Sequence, residues 1–332
     1  MANEYEQKFC VPKSLPREEI VRAATEAQSE NIANRPNLRR AAGLLRAGTP
    51  HREAISAVTT KWWRSGGAHF SVQFLDTDDA ALKRRILEHL NAWSDRANVS
   101  FRETRGRGDV RIARLPGDGY WSYLGTDIRL IPDDEPTMNL ESFSMATPES
   151  EYKRVVRHEA GHTLGFPHEH LRSEVVSGID HDKAVTYFRL QSGWSAEETE
   201  AQVLTPIDEE LIATRIDETS IMCYQLPGSI MKDGKPVPGG LTINTLDRTF
   251  VRQLYPLPPA PPRKKKAASA AKKAAKKATR KAVTKTATRS KKAATKKKAA
   301  TKKKATAKKA TPARKAAKRA TKASPSKRAA RR

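Results

Sequence analysis

The chain has 332 residues and a formal net charge of +26, enough length for one or two domains plus a tail. The charge is unevenly placed: residues 263–332 hold 31 Lys and Arg and no acidic residue, leaving 32 basic and 37 acidic residues in the first 262, a net of −5. Two cysteines, Cys10 and Cys223, exclude a disulfide framework, and the absence of any run of 18 apolar residues excludes a transmembrane helix.

In chain order, Met1 to Lys8 lacks an apolar h-region, so the expectation is an intracellular, reduced protein rather than one secreted by the classical route. Residues 17–47 place Ile20, Ala23, Ala24 and Ala27, then Leu38, Ala41, Leu44 and Leu45, at helical spacing around Pro36, which predicts two short helices. Alternation of Phe70, Val72 and Phe74 predicts a half-buried strand over 69–75. Residues 78–96 carry Ala81, Leu82, Ile86, Leu87, Leu90 and Trp93 on one side of an amphipathic helix. Further strands are expected at 99–101, 109–115 and 138–145, and a helix from about Glu151 to Leu164, opened by Pro148-Glu149-Ser150. A terminal helix is expected near Leu246 to Leu254, and Pro256 to Pro262 reads as a stiff extended linker.

Four of the eight histidines fall between residues 158 and 170. His158-Glu159-Ala160-Gly161-His162 puts two imidazoles four residues apart on a helix, about 40° apart around its axis, so both can reach one zinc ion. Glu159 beside them can take a proton from a zinc-bound water. Gly165 can adopt the positive φ that ends the helix, letting the chain return with His168 as third ligand. Three protein ligands leave a coordination position open, which separates a catalytic zinc from a structural one. Five fixed positions at roughly one in twenty each make a chance match in such a chain on the order of 10⁻⁴.

Downstream lies Ser220-Ile221-Met222-Cys223-Tyr224. HExxHxxGxxH followed by a Met-containing turn resembles the metzincin metallopeptidases, and the version here looks like the astacin family within that clan. The resemblance covers roughly residues 60–257 and implies one Zn2+ held by His158, His162 and His168, with Glu159 as catalytic base. It implies that Tyr224 caps the metal and stabilises the tetrahedral intermediate, and that Met222 packs beneath it. It also matches Glu169 to a glutamate that pairs with the matured N-terminus, Arg172 to an arginine that usually follows, and Trp121-Ser122-Tyr123-Leu124-Gly125 to a stretch preceding the substrate-binding edge strand. Two departures stand out: the disulfides typical of the family are absent, and Cys223 replaces a histidine often found between Met and Tyr.

The implied fold is α+β, a two-lobed metzincin domain with a mixed twisted sheet, an active-site helix and an irregular lower lobe. The expected organisation is an N-terminal helical segment and candidate prosegment (1–58), a catalytic domain (59–257), and a Pro-rich linker with a basic tail (258–332). Cys10, in Phe9-Cys10-Val11-Pro12, has two readings: an incidental small apolar side chain, or a thiolate fourth ligand that keeps the enzyme latent. Some metzincin prosegments use such a thiolate. Astacin prosegments use an aspartate, and no Asp precedes Asp76, which excludes an aspartate switch in residues 1–60.

The tail repeats Ala, Lys and Thr, a composition that cannot bury enough surface to fold alone. It resembles the tails of linker histones and bacterial histone-like proteins. The expected partner of residues 263–332 is nucleic acid or another polyanion, bound without base reading. The leading expectation is therefore a monomeric zinc endopeptidase, cytoplasmic and associated with nucleoid or chromatin. Two alternatives stay open: a leaderless exported protease whose tail binds acidic surfaces, and a non-enzymatic packaging protein with a vestigial protease body.

Overall fold

A computed structural model describes residues 9–35, 59–206 and 216–259. These described residues form one compact unit. The second helix expected between Leu38 and Leu45 and the tail lie outside the described residues.

Five strands build one sheet: β1 (Ala68–Phe74), β2 (Val99–Glu103), β3 (Val110–Ala113), β4 (Tyr120–Ser122) and β5 (Met138–Leu140), in the order β2-β1-β3-β5-β4. The β1–β2, β1–β3 and β3–β5 pairs are parallel, whereas β4 runs antiparallel to β5 at the edge. The mixed sheet and upper-lobe order agree with expectation. The strand expected over 138–145 is shorter, because Ser142 turns to φ +56. The Trp121 stretch does not precede the edge strand: Trp121 and Ser122 belong to it.

Between strands, α2 (Ala80–Leu90) starts where Asp79 accepts hydrogen bonds from the Ala81 and Leu82 amides. Its Leu82, Ile86 and Leu90 join Phe70 and Val72 of β1 and Val155, Val156 and Ala160 of the active-site helix in one apolar core. That helix opens with a turn at Glu149–Glu151, widens into a π-helical stretch at Tyr152–Val156, and continues as α3 (Arg157–Thr163).

The segment ahead of the domain packs onto it. Helix α1 (Ile20–Glu30) buries Ala23, Ala24 and Ala27, and Glu30 reaches both Arg64 at 2.9 Å and Arg129 at 2.8 Å. Asn34 is buried and stitches this segment to the next, donating to the Ala27 and Trp62 carbonyls and accepting from the Trp62 amide.

The lower lobe is less irregular than its sequence implied. After α4 (Ser173–Val176) it contains α5 (His181–Ser192), capped by the Asp180 side chain and closed by Gly193 at φ +69, and the short α6 (Ala196–Thr199), opened by a Ser195–Glu198 capping box. It ends in α7 (Thr245–Leu254), as expected. No described helix is long and apolar enough to cross a membrane.

Candidate active site

Helix α3 carries His158, Glu159 and His162, all buried. It ends where Gly165, at φ +90, lets its own amide reach the His162 carbonyl (2.8 Å) and the Phe166 amide reach the Gly161 carbonyl (3.0 Å), a glycine-closed helix end that turns the chain back. Buried aromatic donors grip α3 at both ends: Trp93 Nε1 donates to the carbonyl of Arg157 at its start, and Trp63 Nε1 and the Tyr255 hydroxyl donate to those of Thr163 and Leu164 at its end. The returning chain brings His168 within 3.0 Å, Nε2 to Nε2, of both His158 and His162.

Second contacts orient these rings. His158 Nδ1 donates to the Ile221 carbonyl at 2.6 Å and His162 Nδ1 to the Phe166 carbonyl at 2.8 Å, which leaves the Nε2 of each neutral ring with a lone pair facing inward. Burial lowers the His158 pKa to about 4 and pushes His162 and His168 well below the usual histidine range. His168 has one Nε2 proton at most to share between two acceptors. Three neutral imidazoles converging in a buried space are suited to a cation, and their spacing suits nitrogens that share one ion at roughly 2.0–2.1 Å each. The ligand atoms of Cys10, His158, His162 and His168 all lie within 4.8 Å of one another. The residues therefore fit zinc.

Glu159 is wholly buried. Its Oε2 accepts from the Cys10 thiol at 3.3 Å, and its Oε1 has no hydrogen-bond partner. Burial raises its pKa to about 8.

The Met222 turn lies against α3. A Cβ on Gly161 would stand 2.3 Å from Met222 Sδ, and one on Gly240 would stand 2.2 Å from the Ser220 carbonyl oxygen. Small residues at both points let the turn dock. Asp247 of α7 holds it there, accepting from Ser220 Oγ at 2.6 Å and from the Ile221 amide at 3.1 Å. No local sequence pattern marks Gly161 or Gly240 as docking points, and Asp247 is signalled only by the Asn244-x-x-Asp247 capping box, both halves of which form.

Tyr224 donates its hydroxyl to the Cys10 carbonyl. Its ring packs on His168 at 4.4 Å and stacks on His170 at 3.9 Å and 19°. His170, the fourth histidine of the window, is buried; its Nε2 lies 2.9 Å from the Gln202 carbonyl, and its Nδ1 accepts from the Tyr224 amide at 3.4 Å. Glu169 takes the Asp217 amide at 3.1 Å and Arg172 at 3.5 Å, and burial lifts its pKa to about 7. Cys223, within the turn, is buried.

Cys10 reaches the site because residues 10–13 run along the sheet edge. Cys10 bridges Tyr120 and Lys13 bridges Tyr123, both parallel, with the Val11 amide donating to the Tyr120 carbonyl at 3.0 Å.

A mixed sheet over a helix bearing two histidines and a glutamate, a third histidine after a glycine turn, and a methionine turn beneath define the metzincin class. Within it, the Astacin peptidase family matches residues 55–233, more than half of the chain, and the chain belongs to that family. Over 92 residues it is 33% identical to the zinc metalloproteinase nas-27 of Caenorhabditis elegans, a match covering 28% of this chain and 19% of that protein. The chain thus spans about a fifth of that relative's length. Among solved structures, myroilysin aligns with a TM-score of 0.56 at 26% identity, over 60% of this chain and 97% of that one.

Proposed function

We propose that the protein is a zinc-dependent endopeptidase held latent by its own N-terminal segment and tethered to nucleic acid by its basic tail. The observation that carries the peptidase reading is the convergence of three buried, neutral imidazoles beside a carboxylate whose Oε1 has no partner. His158, His162 and His168 would hold the zinc, which would supply an acidified water and polarise a peptide carbonyl. Glu159, whose Oε1 has no partner, would serve as the general base that takes up a proton and hands it to the leaving nitrogen. The Tyr224 hydroxyl, kept protonated by burial, already donates to a backbone carbonyl in the cleft, the kind of group whose oxygen gathers charge during peptide hydrolysis.

Cys10 is the latency element. Its thiol lies in one cluster with the three histidines and contacts the catalytic carboxylate, so Cys10 would compete with substrate for the metal. A metal ion held by the three histidines would offset the penalty that burial and Glu159 impose on the thiolate. Residues 263–332 supply 31 positive charges, which suits sequence-independent contact with phosphates.

The test is zinc analysis of the full chain together with cleavage of a denatured protein substrate by the parent and by Cys10→Ser. The expected outcome is one zinc per chain and several-fold faster cleavage by the variant. Equal rates would remove the latency role, and a zinc-loaded chain that cuts nothing in either form would overturn the peptidase reading.

A further inference from the structure

Phe9, the residue before Cys10, fills an aromatic pocket of the lower lobe. Its ring centroid lies 5.2 Å from Phe188, 5.9 Å from Trp194 and 5.2 Å from Tyr224, all tilted or edge-on. Phe188 of α5 is fully buried and stacks on Trp194 at 4.9 Å and 10°. The left-handed Gly193 that closes α5 aims Trp194 back along the helix, where its amide donates to the Phe188 carbonyl at 3.3 Å. Val203 and Ile216 belong to the same apolar cluster. The walls of this pocket thus come from two fixed elements, the end of α5 and the methionine turn, and only its filling comes from the N-terminal segment.

We propose that the pocket holding Phe9 is a specificity subsite that takes an aromatic side chain of a polypeptide substrate, next to the bond being cut. The inference rests on the peptidase reading for the word substrate and on the geometry for the pocket. Three observations support it. Cys10 stands at the histidine cluster and Glu159, so the neighbouring residue's side chain lies where a residue flanking the reacting bond would project. Tyr224 belongs both to the pocket wall and to the catalytic centre, which puts the two side by side. The rings around Phe9 offer edges and faces suited to another aromatic ring, whereas a carboxylate set among Phe188, Trp194 and Tyr224 would lose its hydration against three apolar faces. Phe9 is then a built-in occupant that blocks the subsite while Cys10 blocks the metal.

The test has a binding arm and a cleavage arm, both on the full-length chain. In Phe9→Ala the pocket is vacant, and N-acetyl-L-phenylalaninamide should bind, followed by NMR, at least about tenfold more tightly than to the parent and more tightly than the α-amide of N-acetyl-L-aspartic acid. Adding Trp194→Ala should abolish that gain, and Trp194→Phe should largely keep it, which separates loss of a ring from general damage. Equal binding to parent and Phe9→Ala, or equal binding of the acidic amide, would overturn the proposal. In the cleavage arm, zinc-loaded Phe9→Ala with Cys10→Ser digests a random peptide library. Enrichment of aromatic residues at one of the two positions flanking the cut bond, weakened by Trp194→Ala and restored by Trp194→Phe, supports the subsite. Cleavage with no such enrichment sinks it, while selective binding of the phenylalanine amide without any cleavage counts against the peptidase reading and leaves the pocket standing.

Discussion

His158, His162 and His168 gain their chemistry from being kept uncharged and aimed. Two carbonyls, Ile221 and Phe166, fix the tautomers of the first two rings, so the inward nitrogens offer lone pairs without any proton having to leave. Glu159 is treated differently: the same burial surrounds it, but its Oε1 is left without a partner. Removing its charge while keeping its shape should therefore separate metal binding from catalysis. Glu159→Gln is expected to keep one zinc per chain by metal analysis while losing at least about a hundredfold in peptide cleavage. Cleavage at the parental rate would show that another group moves the proton.

At the scale of elements, packing of the methionine turn on α3 depends on the missing Cβ of Gly161. Alanine is the better helix former by about 1 kcal/mol, so local propensity predicts that Gly161→Ala stabilises the protein. The 2.3 Å approach to buried Met222 Sδ predicts the opposite, a loss of about 1–3 kcal/mol from forced repacking, seen as a lower denaturation midpoint and weaker zinc retention. A stability gain would mean the turn yields freely. Helix α1 is tied on by charge. The Glu30 side chain is buried against Arg64 and Arg129, which hold its pKa at about 2 against an ordinary 4.5. A depressed carboxylate pKa contributes stability above the unfolded value that fades as pH falls from about 4.5 towards 2. Both arginines are solvent-exposed in part, so Glu30→Gln should cost about 1–2 kcal/mol at neutral pH rather than the full shift. The gap between variant and parent should close in acid, and a gap independent of pH would assign the loss to packing instead. These elements also mark what the sequence could reveal. The ligand spacing, Gly165 and the strand alternation at Phe70 and Val72 are local patterns and were legible. Asp180 and Gly193 bracket helix α5, but its buried apolar positions, Ala184 and Phe188, are too few to make a helical stripe in the sequence. Gly161, Gly240 and Asp247 matter only through residues far off in the chain, and such close approaches leave no local pattern.

Over the whole chain, the folded body and the tail have opposite electrostatic characters. Residues 1–262 carry a net of −5, and residues 263–332 carry 31 positive charges with no acidic residue. A mildly acidic body is repelled by a polyanion at long range, so affinity for DNA, if the tail supplies it, should vanish with the tail and take its salt dependence along. If ten phosphates are neutralised, log K should fall with log salt at a slope of about −9, and between about 50 and 200 mM salt the full chain should lose several orders of magnitude in affinity. The chain ending at Pro259 retains the compact unit and should bind a random-sequence duplex weakly at about 50 mM salt, with a slope near zero. Two duplexes of unrelated sequence should bind the full chain alike, since Lys and Ala repeats read no base edges. Tailless and full chains of equal affinity would move the contact onto the body. A strong preference for one duplex would require a base-reading element that the tail composition does not offer. Because tethering raises the local concentration of whatever else lies on the polyanion, the same two chains should differ in how fast they cut a DNA-bound protein but not a free one. A rate difference on free substrate would instead point to the tail acting on the active site directly.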